Sequence, residues 1–204
     1  MQNTQDLSVF TYILTELINN PKGTGHSRDL GTIKKNRKMA KHKVFLSYSK
    51  ADKKAVDEFC ETFGNTFIRR GMVMENDLIN STNTDYVMSE IRRRYLKDST
   101  VTIVLVGKCT WARRFIDWEI QSSLKRFSDG RLPNGLIAIQ LWTSYKSLPP
   151  RLNSNVNSGY SKFYKYPTSH IRLWNMIEWA YNQRGNQHLI ENPKDRFINN
   201  RTCS

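Results

Sequence analysis

Glu119 stands in the stretch FIDWEIQSSL, with Phe115 four residues ahead of it and Trp118 beside it. Residues four apart share one face of a helix, so the carboxylate and the Phe115 ring line up. A carboxylate edging a pocket against an aromatic ring can lend its charge to a ligand. A surface Glu paired with Lys or Arg is the plainer alternative, and spacing alone leaves both open. Ser47, Tyr48 and Ser49 follow a short apolar run, where hydroxyls and backbone N–H groups hold phosphate or ribose, or simply form a cap and turn. Arg113 and Arg114 lead into the Glu119 segment and meet either a pyrophosphate or water. Cys109 has no histidine close to it in sequence and reads as a buried structural cysteine rather than a nucleophile. The four histidines, His26, His42, His170 and His188, show no ligand spacing, so no metal site is expected. No GxGxxG or P-loop occurs, which argues against a hydride-transfer enzyme or an ATPase.

The elements that must position these groups alternate along the chain. Residues 44–47 form a short apolar strand. Ser49-Lys50-Ala51-Asp52 reads as a helix N-cap with an acid three residues on, and Val56, Phe59, Cys60 and Phe63 give the helical stripe behind it. Residues 67–74 form a second strand, and 75–84 a polar loop holding Asp77. Val87, Ile91, Tyr95 and Leu96 mark the next helix. Residues 101–106 are apolar throughout, as a strand buried on both faces requires. Thr110 is placed to cap the helix that follows. In that helix Ile116, Ile120 and Leu124 form the core stripe, and Glu119 lies about 60° to one side of it. Further strands are expected at 136–142 and 163–166, and a closing helix at 171–181. Strand–helix alternation repeated five times gives a parallel sheet with helices on both faces. Ligands of such sheets bind beyond the carboxyl ends of the strands, where residues 108–114 fall.

Residues 1–40 read differently. Leu7, Phe10, Ile13, Leu14, Leu17 and Ile18 recur at helical intervals, and Asn20-Pro21 with Gly23 and Gly25 ends that run. A basic linker follows. The expected organisation is an N-terminal helical extension and linker over 1–40, a main domain over 41–184 and a C-terminal tail over 185–204.

The chain has 204 residues, 38% of them hydrophobic, enough for one core with a small appendage. Its apolar runs fall far short of the ~20 residues of a membrane span, and the N-terminus carries no signal-peptide pattern. Three cysteines, Cys60, Cys109 and Cys203, contain no CxxC pair. They suggest neither a disulfide framework nor a zinc site, and the expectation is a reduced, cytoplasmic protein. A net charge of +14 reads either as attraction to a polyanion or as a solvated basic surface. The basic blocks lack the interleaved aromatics of a stacking platform, so no specific nucleic-acid partner is expected.

Three stretches carry a family resemblance. KVFLSYSKAD is similar to the first strand and following loop of a TIR domain, VTIVLVGKCTW to its central strand, and RRFIDWEI to the helix bearing its glutamate. The likeness covers about residues 41–184 and is specifically to the TIR-like signalling subunits of the Thoeris anti-phage system. The family often has Phe-His where this chain has Tyr48-Ser49, and Trp where it has Phe115.

The resemblance implies a flavodoxin-like α/β fold with a five-stranded, mainly parallel sheet. It implies cleavage of the nicotinamide–ribose bond of NAD, with NAD as substrate and no cofactor. It further implies a cyclised ADP-ribose-type product that activates a separate effector protein, a phage component as trigger, and self-association. Glu119 is then the catalytic group. Phe115, Trp118 and Trp111 are candidate walls; Ser47, Tyr48, Ser49 and Arg113 are candidate substrate contacts. Asp77 and Asn83 belong to the loop that flanks the pocket in this family. The rival reading is a non-enzymatic TIR module that assembles through its faces, in which Glu119 has no chemical role.

Overall fold

The computed structural model describes residues 40–70, 83–127, 129–143 and 145–203. The expected N-terminal helix, the second half of the expected second strand and Asp77 lie outside the described residues.

Five strands form one sheet: β1 Lys43–Tyr48, β2 Ile68–Arg70, β3 Val101–Val106, β4 Gly135–Gln140 and β5 Ser161–Tyr164. Their order is β2-β1-β3-β4-β5, and all four pairings are parallel. Parallel neighbours need crossover connections. These are α1 Lys53–Phe63, α2 Thr84–Glu90, α3 Arg114–Ser123 and α4 Pro150–Asn157, with α5 His170–Gln183 following β5. Helix α2 runs on into a π-helical turn, Ile91–Leu96. This is the flavodoxin-like α/β arrangement.

Both faces of the sheet are covered. On one, Val44, Leu46, Ile103, Leu105, Ile137 and Ile139 pack against Val56, Phe59 and Phe63 of α1 and Leu173, Ile177 and Ala180 of α5. On the other, Val104, Val106, Leu136 and Ala138 meet Ile116 and Ile120 of α3, Leu124 just past its end, and Leu152 of α4. The expected stripe Ile116, Ile120 and Leu124 is therefore the core face of its helix. Beside it, Phe45 joins Val87, Met88, Ile91, Leu96 and Trp118. Gly135 lets α5 lie directly on β4, since a Cβ there would run into the Ala180 carbonyl.

Several local expectations are corrected. Ser49 caps nothing through its side chain; a single 3₁₀ turn, Lys50–Asp52, comes before α1. Thr110 likewise does not cap α3. Its hydroxyl accepts from the Gly107 N–H and faces the Leu105 carbonyl, closing the turn after β3. Helix α4 is absent from the sequence expectation because it is mostly polar; only Pro150 at its start and the pair Leu152/Val156 mark it. Strand β5 begins at Ser161, ahead of the expected 163.

Candidate active site

Strands β1 and β3 are neighbours in the sheet, but their connections leave in different directions, one to α1 and the other to α3. This divergence opens the crevice where doubly wound sheets take their ligands. A cavity of about 270 Å³ lies here, lined by Ser49, Lys50 and Ala51 from the β1 loop and by Arg113 from the β3 loop.

Neither Ser47 nor Glu119 lines that cavity; in the strand that leads into these loops and the helix that leaves them, Ser47 Oγ donates to Glu119 Oε2 at 2.6 Å. Period-two alternation turns Ser47, like Phe45, toward the α3 face. Ser47 is 1% exposed and Glu119 5%. The carboxyl group is thus inside the protein, deeper than the pocket-edge position that helical spacing suggests. Burial pushes its pKa up to about 8, and the Ser47 hydrogen bond pulls the other way.

Polar atoms without partners gather around the same loops. Ser49 Oγ, one oxygen of Asp52, Arg113 Nε and Trp111 Nε1 are buried with no hydrogen bond. Native interiors leave few such atoms, and each calls for an explanation. Asp52 packs against Gly107, where a Cβ would collide with its carboxyl group. Burial raises its pKa, against a bond from the Lys108 backbone.

The remaining expected site residues divide. Ser49 and Arg113 line the cavity, and Trp111 lies on the loop between β3 and α3 with the Lys146 ammonium 5.4 Å from its ring. Tyr48 does not join them: alternation sends its ring to the opposite face, against the α1–α5 core. Asn83 caps α2, its side-chain oxygen accepting from the N–H groups of Asp85 and Tyr86. Trp118 is not an open wall. It is 6% exposed, packs with Phe45 and Val87, and donates its indole N–H to the Phe197 carbonyl at 2.9 Å. Phe115 sits edge-on to Trp118 with centroids 5.2 Å apart, and the Arg114 guanidinium covers both rings.

Asp117, two residues before Glu119, was not anticipated, and neither was Arg151. Arg151 is fully buried and meets Asp117 at 3.0 Å. Its other N–H groups donate to the carbonyls of Asn192, Lys194 and Asp195. The Phe197 N–H returns to Asp117. Residues beyond 190 therefore form a strap along α3. Asn192 donates to the Gln121 carbonyl, Asn200 accepts from the Arg114 N–H, and the Arg201 N–H donates to the Ala112 carbonyl. The strap ends in a disulfide between Cys203 and Cys109, which corrects the expectation of unpaired cysteines; Cys60 remains free.

Among the described residues no group of three or more His, Cys, Asp or Glu is placed to hold a metal, and no helix is long and apolar enough to cross a membrane.

A five-stranded parallel sheet of this order is a flavodoxin-like α/β domain, the fold that a TIR-like domain has. The family model for the Thoeris protein ThsB, TIR-like domain, matches residues 45–146, half of the chain, and the chain belongs to that family. None of the curated proteins compared with it matches. Membership gives the chain a role in anti-phage defence. It is consistent with NAD-related enzymatic activity and suggests a separate effector as partner.

Proposed function

We propose that this chain cleaves the nicotinamide–ribose bond of NAD and releases a cyclised ADP-ribose-type signal that activates a separate effector. The observation that carries the reading is the Glu119 carboxyl group, desolvated and oriented by Ser47 at the sheet's switch point. The bonding pair of the C–N bond leaves with nicotinamide, which becomes neutral. The ribose carbon is left as an oxocarbenium centre, as in glycoside cleavage. An ionised Glu119 stabilises that cation in a low-dielectric site, where one charge acts strongly. The leaving group is already cationic in the substrate, so no general acid is required. Cyclisation follows when a nucleophile on the same molecule attacks the cation and sheds its proton; attack by water gives the linear product instead.

The unpartnered Ser49, Asp52 and Arg113 atoms supply donors and acceptors for the polar ends of such a ligand. At about 270 Å³ the cavity is below the roughly 300–1,000 Å³ of pockets that hold cofactor-sized molecules. We read this as the resting arrangement, completed on self-association or on contact with a phage component.

The test is mass spectrometry of NAD products from infected cells carrying the chain or its Glu119→Gln variant, with the small-molecule filtrates applied to a partner effector. Nicotinamide release should fall ~10²-fold or more in the variant, and only the wild-type filtrate should activate the effector. Equal release from both proteins would leave a non-enzymatic assembly module as the better description. Linear ADP-ribose alone, with inactive filtrates, would leave a plain NAD hydrolase.

A further inference from the structure

The opposite end of the sheet carries a second concave site. A cavity of about 490 Å³ lies where α2 ends and the chain leaves α3, lined among others by Arg92, Lys97, Arg126, Phe127 and Arg131. An adjoining cavity of about 480 Å³ shares Lys97 and Arg131 and extends to His42 and Arg184, at the amino ends of β1 and β4. Each is within the size range of pockets for small ligands.

Its charge is poorly neutralised. Among the described residues, Asp129 is the one carboxylate lining the first cavity, and Arg131 already holds it at 2.8 Å; Asp98 also lines the adjoining cavity, where Glu178 holds His42 at 2.7 Å. Arg93 is taken up by Glu90. Among the described residues, Arg92, Lys97 and Arg126 are in no ion pair. Two of the cations are also held in place, while Lys97 and Arg126 are exposed. The Arg92 and Arg131 guanidinium groups stack on the Phe127 ring, 5.0 and 4.3 Å from its centroid. Arg92 donates to the Arg126 carbonyl, and Arg131 donates to the Lys97 carbonyl. Burial, and after it the neighbouring Arg131 charge, lowers the Arg92 pKa. Guanidinium groups brought together against their mutual repulsion, with N–H forks fixed by a ring and by carbonyls, are arranged for an acceptor of two or more negative oxygens.

We propose that this groove binds a phosphate-bearing ligand of nucleotide size, at a site separate from Glu119. The two cavities together accommodate a phosphate chain over Arg92, Arg126 and Arg131 and a further group toward His42. Part of the +14 charge would then serve a defined site rather than general solvation.

Calorimetric titration of the full chain with inorganic pyrophosphate and with ADP tests this. One site per chain is expected, unchanged in Glu119→Gln and weakened at least tenfold in the Arg92→Gln/Arg126→Gln double variant. Arg92→Lys keeps the charge but loses the planar fork, and should fall between the two. Mapping of phenylglyoxal modification by peptide mass spectrometry provides a readout without mutation: pyrophosphate should protect Arg92 and Arg126. The proposal is overturned if neither probe binds, if the double variant binds as wild type, or if Glu119→Gln abolishes binding. It is equally overturned if affinity appears only with single-stranded oligonucleotides and climbs with their length. Nicotinamide release is read separately, so failure here leaves the NAD reading standing.

Discussion

Ser47 controls Glu119 through one hydrogen bond, and that bond has a sign. The folded pKa of about 8 exceeds the ordinary 4.5, so folding favours the protonated acid. The stability this group contributes is complete below pH 4.5 and is lost as pH climbs to about 8, a range worth on the order of 5 kcal/mol. Catalysis runs the other way, because the cation needs the carboxylate. The rate of nicotinamide release should rise with pH and level off above about 8. Ser47→Ala removes the interaction that holds the pKa down, so the midpoint of that profile should move to higher pH. A pH–rate series on both proteins checks the direction, and an unmoved or lowered midpoint contradicts it. The spacing of Phe115 and Glu119 was legible in the sequence; the depth of Glu119 was not, since its partner lies 72 residues away. The face of Tyr48 could have been read from strand alternation, because Ser47 and Tyr48 cannot point the same way.

Helix α3 is held from two sides, by the sheet beneath it and by the strap along it. The link between them is the Arg151–Asp117 pair, buried and saturated with hydrogen bonds. Arg151→Ala leaves a carboxylate in the interior without its counter-charge and three strap carbonyls without donors. The expected loss is about 3–5 kcal/mol, measured by urea denaturation. A red shift of Trp118 emission should accompany it as the Phe197 carbonyl leaves the indole. A loss below 1 kcal/mol would mean that the strap stays seated without Arg151. The apolar run of β3 and the core stripe of α3 were readable because burial on one face or both imposes a pattern on residue types. The strap was not, because much of its binding is through backbone carbonyls, which leave no signature in composition. Helix α4 escaped for a related reason: its buried residues include Arg151 and Asn155, polar groups satisfied by partners elsewhere in the chain.

At the scale of the molecule, strand–helix alternation was enough to give the fold class. The pairing of Cys109 with Cys203 was beyond reach, because they lie 94 positions apart and only the path of the strap brings their Cα atoms to 5.6 Å. Closing a loop of that length restricts the unfolded chain, which by chain-entropy reasoning stabilises the fold by roughly 4–5 kcal/mol. Guanidinium denaturation with and without reductant should show a difference of that order for wild type and none for Cys203→Ser. Equal midpoints for oxidised and reduced wild type would contradict a contribution of that size from restriction of the unfolded chain. The sequence gives the net charge but not its distribution. Arg92 and Arg126, in no ion pair, lie at the amino edge of the sheet, while Arg113 lies with the acid at the carboxyl edge.

The same covalent closure divides the molecule mechanically. A tension applied between the two ends of the oxidised chain passes from Cys109 straight across to Cys203. Helix α3, strands β4 and β5 and helices α4 and α5 all lie inside the bypassed segment and bear no load. With the bonded cysteines 94 positions apart, about 330 Å of contour length stays out of reach of a pulling force or a threading motor until the bond is reduced. Glu119 lies in the shielded segment and Ser47 in the part that can be drawn out. Such pulling would therefore part the hydrogen-bonded pair by removing β1 from the sheet, while the helix that carries the carboxylate remained under no tension.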